Sequence, residues 1–216
     1  TALAMLAHCA AGKSWDGYPV TKSAAIMFCV EEVREELHRK YSALVAGWSE
    51  AERAECTKNL LLVSCVGMDA RLTVIDYGAH RETSVPQEVI ELVKEHEAQC
   101  GVAIGTICFD HLQGFTSGDL NGSETAVTLA RAGNRIASGT GAAVVFTAHI
   151  AKANIGATEL SAGFTTGSLA FENAMRQVVG LIPMSEDKAR QYGVEDFRKD
   201  YIWAGLIKNS YADPDS

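Results

Sequence analysis

Short apolar runs alternating with amphipathic stretches constrain this chain more than any other feature. Ala24-Ala25-Ile26-Met27-Phe28-Cys29-Val30 is apolar throughout and of strand length. A strand of that kind has no face for water, so it is expected to be covered on both sides. Further strand-length runs are Asn59 to Ser64, Leu72 to Tyr77, Val102 to Phe109 and Ala142 to Thr147, the last expected to be buried; Val178 to Ile182 and Tyr201 to Ile207 follow. Between them lie helical patterns. Ala2 to Ala11 is stopped by Gly12 as a helix is by a C-terminal glycine; a charged helix runs from Glu31 to about Ala46; Pro86 to Gln99 places Val89, Ile90, Leu92 and Val93 on one face; Ser123 to Ser138 is amphipathic; a short helix lies near Glu186 to Tyr192. Parallel neighbours need a crossover to connect them, so this alternation predicts an α/β fold with a mostly parallel central sheet flanked by helices. Ligands of such sheets bind at the carboxyl ends of the strands.

A chain of 216 residues can bury one good core, and the expectation is a single domain over residues 1–216. There is no internal repeat. Thr116 to Gly122 and Ala151 to Gly167 read as loops, the second long enough to be functional. Hydrophobic residues at 47% and charged residues at 21% exclude a disordered or collagen-like chain. No stretch approaches the roughly 20 apolar residues of a membrane helix, and the opening TALAMLAHCAAGKSW lacks the basic flank and cleavage site of a signal peptide. The expected location is the cytoplasm, with no membrane partner. Six cysteines form no C-x-x-C pair, which points to reduced thiols rather than zinc or disulfides. A net charge of -8 argues against a broad basic face for duplex DNA, although a ring can hold a strand through a few inward lysines.

Three of the apolar strands deliver a polar residue at the carboxyl end: Glu31 after Val30, Asp110 after Phe109, and His149 shortly after Phe146-Thr147. One carboxylate at such an edge can hold the water shell of magnesium, a second can accept a proton from attacking water, and a histidine can sense a terminal phosphate. Singly, each has a plainer explanation. Asp110 can cap the next turn, Glu31 can serve a helix dipole, and His149 can be a satisfied core histidine. Only their joint placement favours chemistry. Gly12-Lys13-Ser14 matches the end of a Walker A loop, but Ala7 stands at the first glycine position and Ala7 to Ala11 reads as helix. A phosphate cradle needs exposed backbone N–H groups, so the match is a false one.

The run A-A-G-K-S-W-D-G-Y-P-V-T-K, with A-A-I-M-F-C-V-E-E-V-R-E-E-L-H-R-K after it, resembles the segment following the Walker A loop in RepA-type hexameric replicative helicases of plasmids and phages. That family has a RecA-like P-loop NTPase core. The resemblance implies that the Walker A loop lies just upstream of residue 1, and that Thr1 contributes the magnesium-binding hydroxyl. Glu31 falls at the family's catalytic glutamate, and Lys40 where an arginine is usual. T-I-C-F-D-H, Thr106 to His111, is similar to Walker B, which makes Asp110 the magnesium-side acid; S-G-D-L-N-G-S-E resembles the acidic loop that follows it. F-T-A-H-I-A-K is similar to H-H-T-G-K, which puts His149 in the phosphate-sensor place and Lys152 at the start of a loop facing the central strand. T-G-S-L-A-F-E-N-A-M-R resembles R-G-S-S-A-L-x-D-x-x-R and places Arg176; G-L-I-K-N-S-Y resembles the closing strand, with Lys208. Thr166 departs from the family's first arginine, and one histidine stands where two are common.

The expectation from this resemblance is magnesium-dependent ATP hydrolysis by a hexameric ring of identical subunits on single-stranded DNA, as in a replicative DNA helicase of a mobile element. Glu31 would orient the attacking water, Asp110 would anchor the ion, and Arg176 or Lys208 would complete a neighbour's site. The alternative is a nucleotide-binding regulatory or DNA-binding protein of the same fold with little motor activity. An unrelated hydrolase or dinucleotide enzyme would need G-x-S-x-G or G-x-G-x-x-G, and neither occurs.

Overall fold

The structure, a computed structural model, describes residues 2–15, 17–150, 157, 159–161, 163 and 169–211, without the side chains of 197 and 198. The chain divides into two compact units, Thr1–Gly118 with Arg131–Ala148, and Asp119–Ala130 with His149–Ser216.

The first unit holds helix α1 (Ala2–Ala11), strand β1 (Ala24–Cys29), helices α2 (Arg34–Val45) and α3 (Glu50–Asn59), strands β2 (Leu60–Ser64), β3 (Thr73–Asp76) and β4 (Ala79–Glu82), helix α4 (Val85–Cys100) and strand β5 (Ile104–Asp110). A 3-10 turn, Leu112–Phe115, follows. Helix α5 (Ser123–Thr140) enters this unit at Arg131 and leads to strand β6 (Ala143–Phe146). The central sheet has four strands in the order β2-β1-β5-β6, every pair parallel. This is the expected α/β architecture, a RecA-like P-loop NTPase core with its parallel sheet flanked by helices.

Alternation along β1 explains the two covered faces. Ala25 and Met27 pack with Leu6, Ala7 and Ala10 of α1, Val45 of α2 and Cys56 of α3. On the other face Phe28, Phe109 and Phe146 stand side by side on β1, β5 and β6, with ring centroids 5.1 and 5.3 Å apart, and Phe115 meets Phe109 edge-on at 5.0 Å. Every residue of β1 is buried, as its apolar run requires. The expectation of burial for the strand at Ala142 to Thr147 is corrected: β6 lies at the sheet's edge, and its residues are exposed or half-buried.

Several boundaries are local chemistry. Gly12, at φ 67°, ends α1 with its N–H on the Cys9 carbonyl at 3.2 Å, as its position predicted. Ser49 and Glu52 form a reciprocal capping box at the start of α3, a helix whose apolar pattern is too weak to show in the sequence. The run at Leu72 to Tyr77 proves to be one arm of an antiparallel hairpin, β3–β4, turned by Tyr77 and Gly78 at φ 47° and 80°. Positive φ at both central residues matches the right-handed strand twist.

The second unit contains helix α6 (Leu169–Ala174), strand β7 (Gln177–Pro183), helix α7 (Glu186–Tyr192) and strand β8 (Ile202–Asn209), with β7 and β8 antiparallel. Gly180 and Gly205 pair across this hairpin, and Leu160 fills the room they leave: a Cβ on either glycine would come within 2.4 or 2.6 Å of the Leu160 methyls. Among the described residues, no helix is long and apolar enough to cross a membrane.

Candidate active site

The aromatic rung across β1, β5 and β6 sets the register of what lies beyond it. One step on, Cys29 pairs with Asp110. The Val30 N–H donates to the Asp110 carbonyl at 2.9 Å, and the Thr147 N–H to the Phe109 carbonyl at 3.1 Å. Glu31, Asp110 and Thr147 are thereby delivered to the carboxyl edge of the parallel sheet, where such folds bind ligands.

Asp110 is half-buried, and the Thr147 hydroxyl hydrogen-bonds directly to its Oδ1. The cap position of the 3-10 turn after β5 is His111, not Asp110. Glu31 is likewise no part of a helix. The charged helix expected from Glu31 begins instead at Arg34, and the acids in its first turn are Glu35 and Glu36. Val30 and Glu31 form a bend between β1 and α2, and the Glu31 side chain is 55% exposed.

Neighbouring side chains set the electrostatics. His111 follows Asp110 through a cis peptide bond and is mostly buried; its Nδ1 lies 3.3 Å from Oε1 of Glu31. Glu32 pairs with Lys40 and holds that ammonium above its ordinary pKa, while the Glu32 carbonyl accepts the Ser64 hydroxyl at 2.7 Å. Burial pushes the Cys29 thiol up, and drives the Cys108 thiol to about 12. All six cysteines are free, and all but Cys9 are buried.

The remaining residues singled out by sequence are placed as follows. His149 is exposed and belongs to the second unit. Arg176 is exposed just before β7, its carbonyl accepting the Ser210 N–H at 2.8 Å. Lys208 on β8 donates through Nζ to the carbonyls of Glu172 at 3.2 Å and Asn173 at 2.6 Å, the C-terminal end of α6. Thr1, Lys152 and Thr166 lie outside the described residues. Lys13 is bound to Glu52 at 2.6 Å and lies 5.6 Å from the Trp48 ring centroid. Gly12-Lys13-Ser14 is therefore a helix stop with a tethered lysine, not a phosphate loop.

A family model described as an AAA domain matches residues 1–154. The chain belongs to the AAA domain family. The matched stretch of the AAA domain includes Glu31, Asp110 and His149 and stops before Arg176 and Lys208. No curated protein matches the chain. Membership makes this a P-loop ATPase-type domain, a nucleotide-binding module, and its sheet edge offers carboxylate and hydroxyl oxygens, the hard donors that suit magnesium.

Sequence reasoning missed His111 and Thr147 as the neighbours of Glu31 and Asp110. Both stood inside motifs already quoted, T-I-C-F-D-H and F-T-A-H-I-A-K. Their contacts are between strands, and nothing in the spacing along one strand reports them.

Proposed function

We propose that this AAA domain is the ATP-hydrolysing core of a RepA-type replicative DNA helicase of a plasmid or phage, working as a hexameric ring on single-stranded DNA. The observation that supports this reading best is the pairing of Cys29 with Asp110, which brings two acids from separate strands to one sheet edge. Glu31, exposed there, orients the attacking water and takes its proton. Asp110, steadied by the Thr147 hydroxyl, presents a carboxylate to the water shell of a magnesium ion, with Thr1 as a second oxygen donor. The ion supplies neutralisation of phosphate charge when bound. His149 reports the terminal phosphate, Arg176 or Lys208 serves the neighbouring subunit's site, and Lys152 faces the strand.

The test is turnover by the purified protein with and without single-stranded DNA. Glu31→Gln is expected to lower the rate at least about a hundredfold, in line with loss of a positioned base, with ATP binding retained. Undiminished turnover by that variant overturns the role of Glu31. Turnover indifferent to single-stranded DNA overturns the helicase reading.

A further inference from the structure

His111 is held more firmly than the glutamate it faces. Its backbone leaves the sheet between two hydrogen bonds, Val30 N–H to the Asp110 carbonyl at 2.9 Å and Leu112 N–H to the Thr147 carbonyl at 2.8 Å, while Gly114 N–H returns to the His111 carbonyl at 3.1 Å. Leu112, next in the chain, is buried, and the His111 side chain is 18% exposed. Gly114 lies so close over Val30 that a Cβ there would come within 2.4 Å of the valine's Cγ2. The 3-10 turn is thus seated directly against the residue that precedes Glu31.

Glu31 sits in a bend and is more than half exposed. An exposed glutamate has several freely rotating side-chain torsions, and confining them costs entropy. A carboxylate that must meet a water within hydrogen-bond reach loses rate when it wanders. A polar group placed against it is the His111 imidazole, with Nδ1 3.3 Å from Oε1.

We propose that His111 is a positioning residue for the reaction: its imidazole, with Nδ1 3.3 Å from Oε1 of Glu31, pairs with that carboxylate and keeps it over the sheet edge where Asp110 stands. The inference rests on the proposed role of Glu31 as the group that orients water. His111 touches no reacting atom in this scheme; it acts through Glu31. The requirement is a donor at the place of Nδ1, which an asparagine amide can fill and a glutamine amide, one carbon longer, misplaces.

Steady-state ATP turnover of the purified protein tests this with His111→Ala, His111→Asn and His111→Gln, each checked for fold by circular dichroism. His111→Ala is expected to lower kcat about tenfold to a hundredfold with KM for ATP unchanged, the size of effect expected when a reacting group is misplaced by about 1 Å. His111→Asn restores most of that loss, and His111→Gln does not. Added to Glu31→Gln, His111→Ala lowers the residual rate no further, because the two act as one unit. Wild-type kcat in a folded His111→Ala protein overturns the inference, as does an additive double variant or equal loss in the asparagine and glutamine variants. Where the alanine variant does not fold, the contrast between asparagine and glutamine decides. A wild-type protein without ATP turnover, or Glu31→Gln with full turnover, fells the proposed function itself and this inference with it; loss at Glu31 with no loss at His111 fells this inference alone.

Discussion

Glu52 closes two local structures at once. Its carboxylate receives the Lys13 ammonium, and it also accepts the Ser49 N–H and hydroxyl at the start of α3. The hydrogen bond from Lys13, then those from Ser49, lower its pKa from 4.5 to about 2. A carboxylate whose folded pKa is depressed contributes stability that is complete above its unfolded pKa and is lost as pH falls through the folded one. The melting temperature of the wild type should therefore exceed that of Glu52→Gln at neutral pH. The gap is expected to narrow between about pH 4.5 and pH 2 and to shrink in high salt, since the pair is open to solvent. A gap constant down to pH 2 contradicts this account of the ion pair. The same residue-by-residue view separates Lys13 from Lys40: each is spent on a nearby glutamate, Glu52 and Glu32, so neither lysine reads as free for phosphate.

At the level of elements, punctuation residues decide where each helix stops and what can approach it. Gly12 ends α1 with a left-handed backbone, and a Cβ there would lie 2.9 Å from the Lys22 Cβ. Gly12→Ala is expected to cost about 1 kcal/mol for the backbone alone, with a further cost from the displaced lysine. Urea denaturation monitored by Trp15 and Trp48 fluorescence measures it, and a neutral result would mean that the segment after α1 relaxes freely. The element boundaries also bear on the site. Because α2 begins at Arg34 and not at Glu31, the acid stands in a bend rather than on a helix, with its exposure and its distance from Asp110 set by the strand register. The strand-ending acids and the glycine stop were legible in the sequence, since both are local. The capping box of α3 was not read from the sequence, because its helix lacks an apolar stripe to draw attention to it. The hairpin β3–β4 was half legible: its first arm is apolar, whereas its second, Ala79–Glu82, carries His80, Arg81 and Glu82 and resembles a loop.

For the molecule as a whole, the first unit depends on the aromatic rung through its centre. Phe109 is fully buried between Phe28, Phe146 and Phe115. Phe109→Ala is expected to cost about 3–5 kcal/mol and, because the rung underlies Asp110, to lower ATP turnover even at temperatures where the variant remains folded. Chemical denaturation and turnover measured on one preparation check both halves. A large stability loss with wild-type turnover would show that the site keeps its register without the rung. The amino-acid order alone determined that this chain alternates strands with helices, that its central strands are covered on both faces, and that acids stand at the ends of two of them. Those features follow from periodicity and from preferences that act over a few residues. The tertiary structure decided which of these groups meet: that Cys29 pairs with Asp110, that Thr147 hydrogen-bonds to that acid, and that His111 faces Glu31. Such contacts join segments far apart in the chain, and their register comes from the packing of whole strands, which no local pattern encodes.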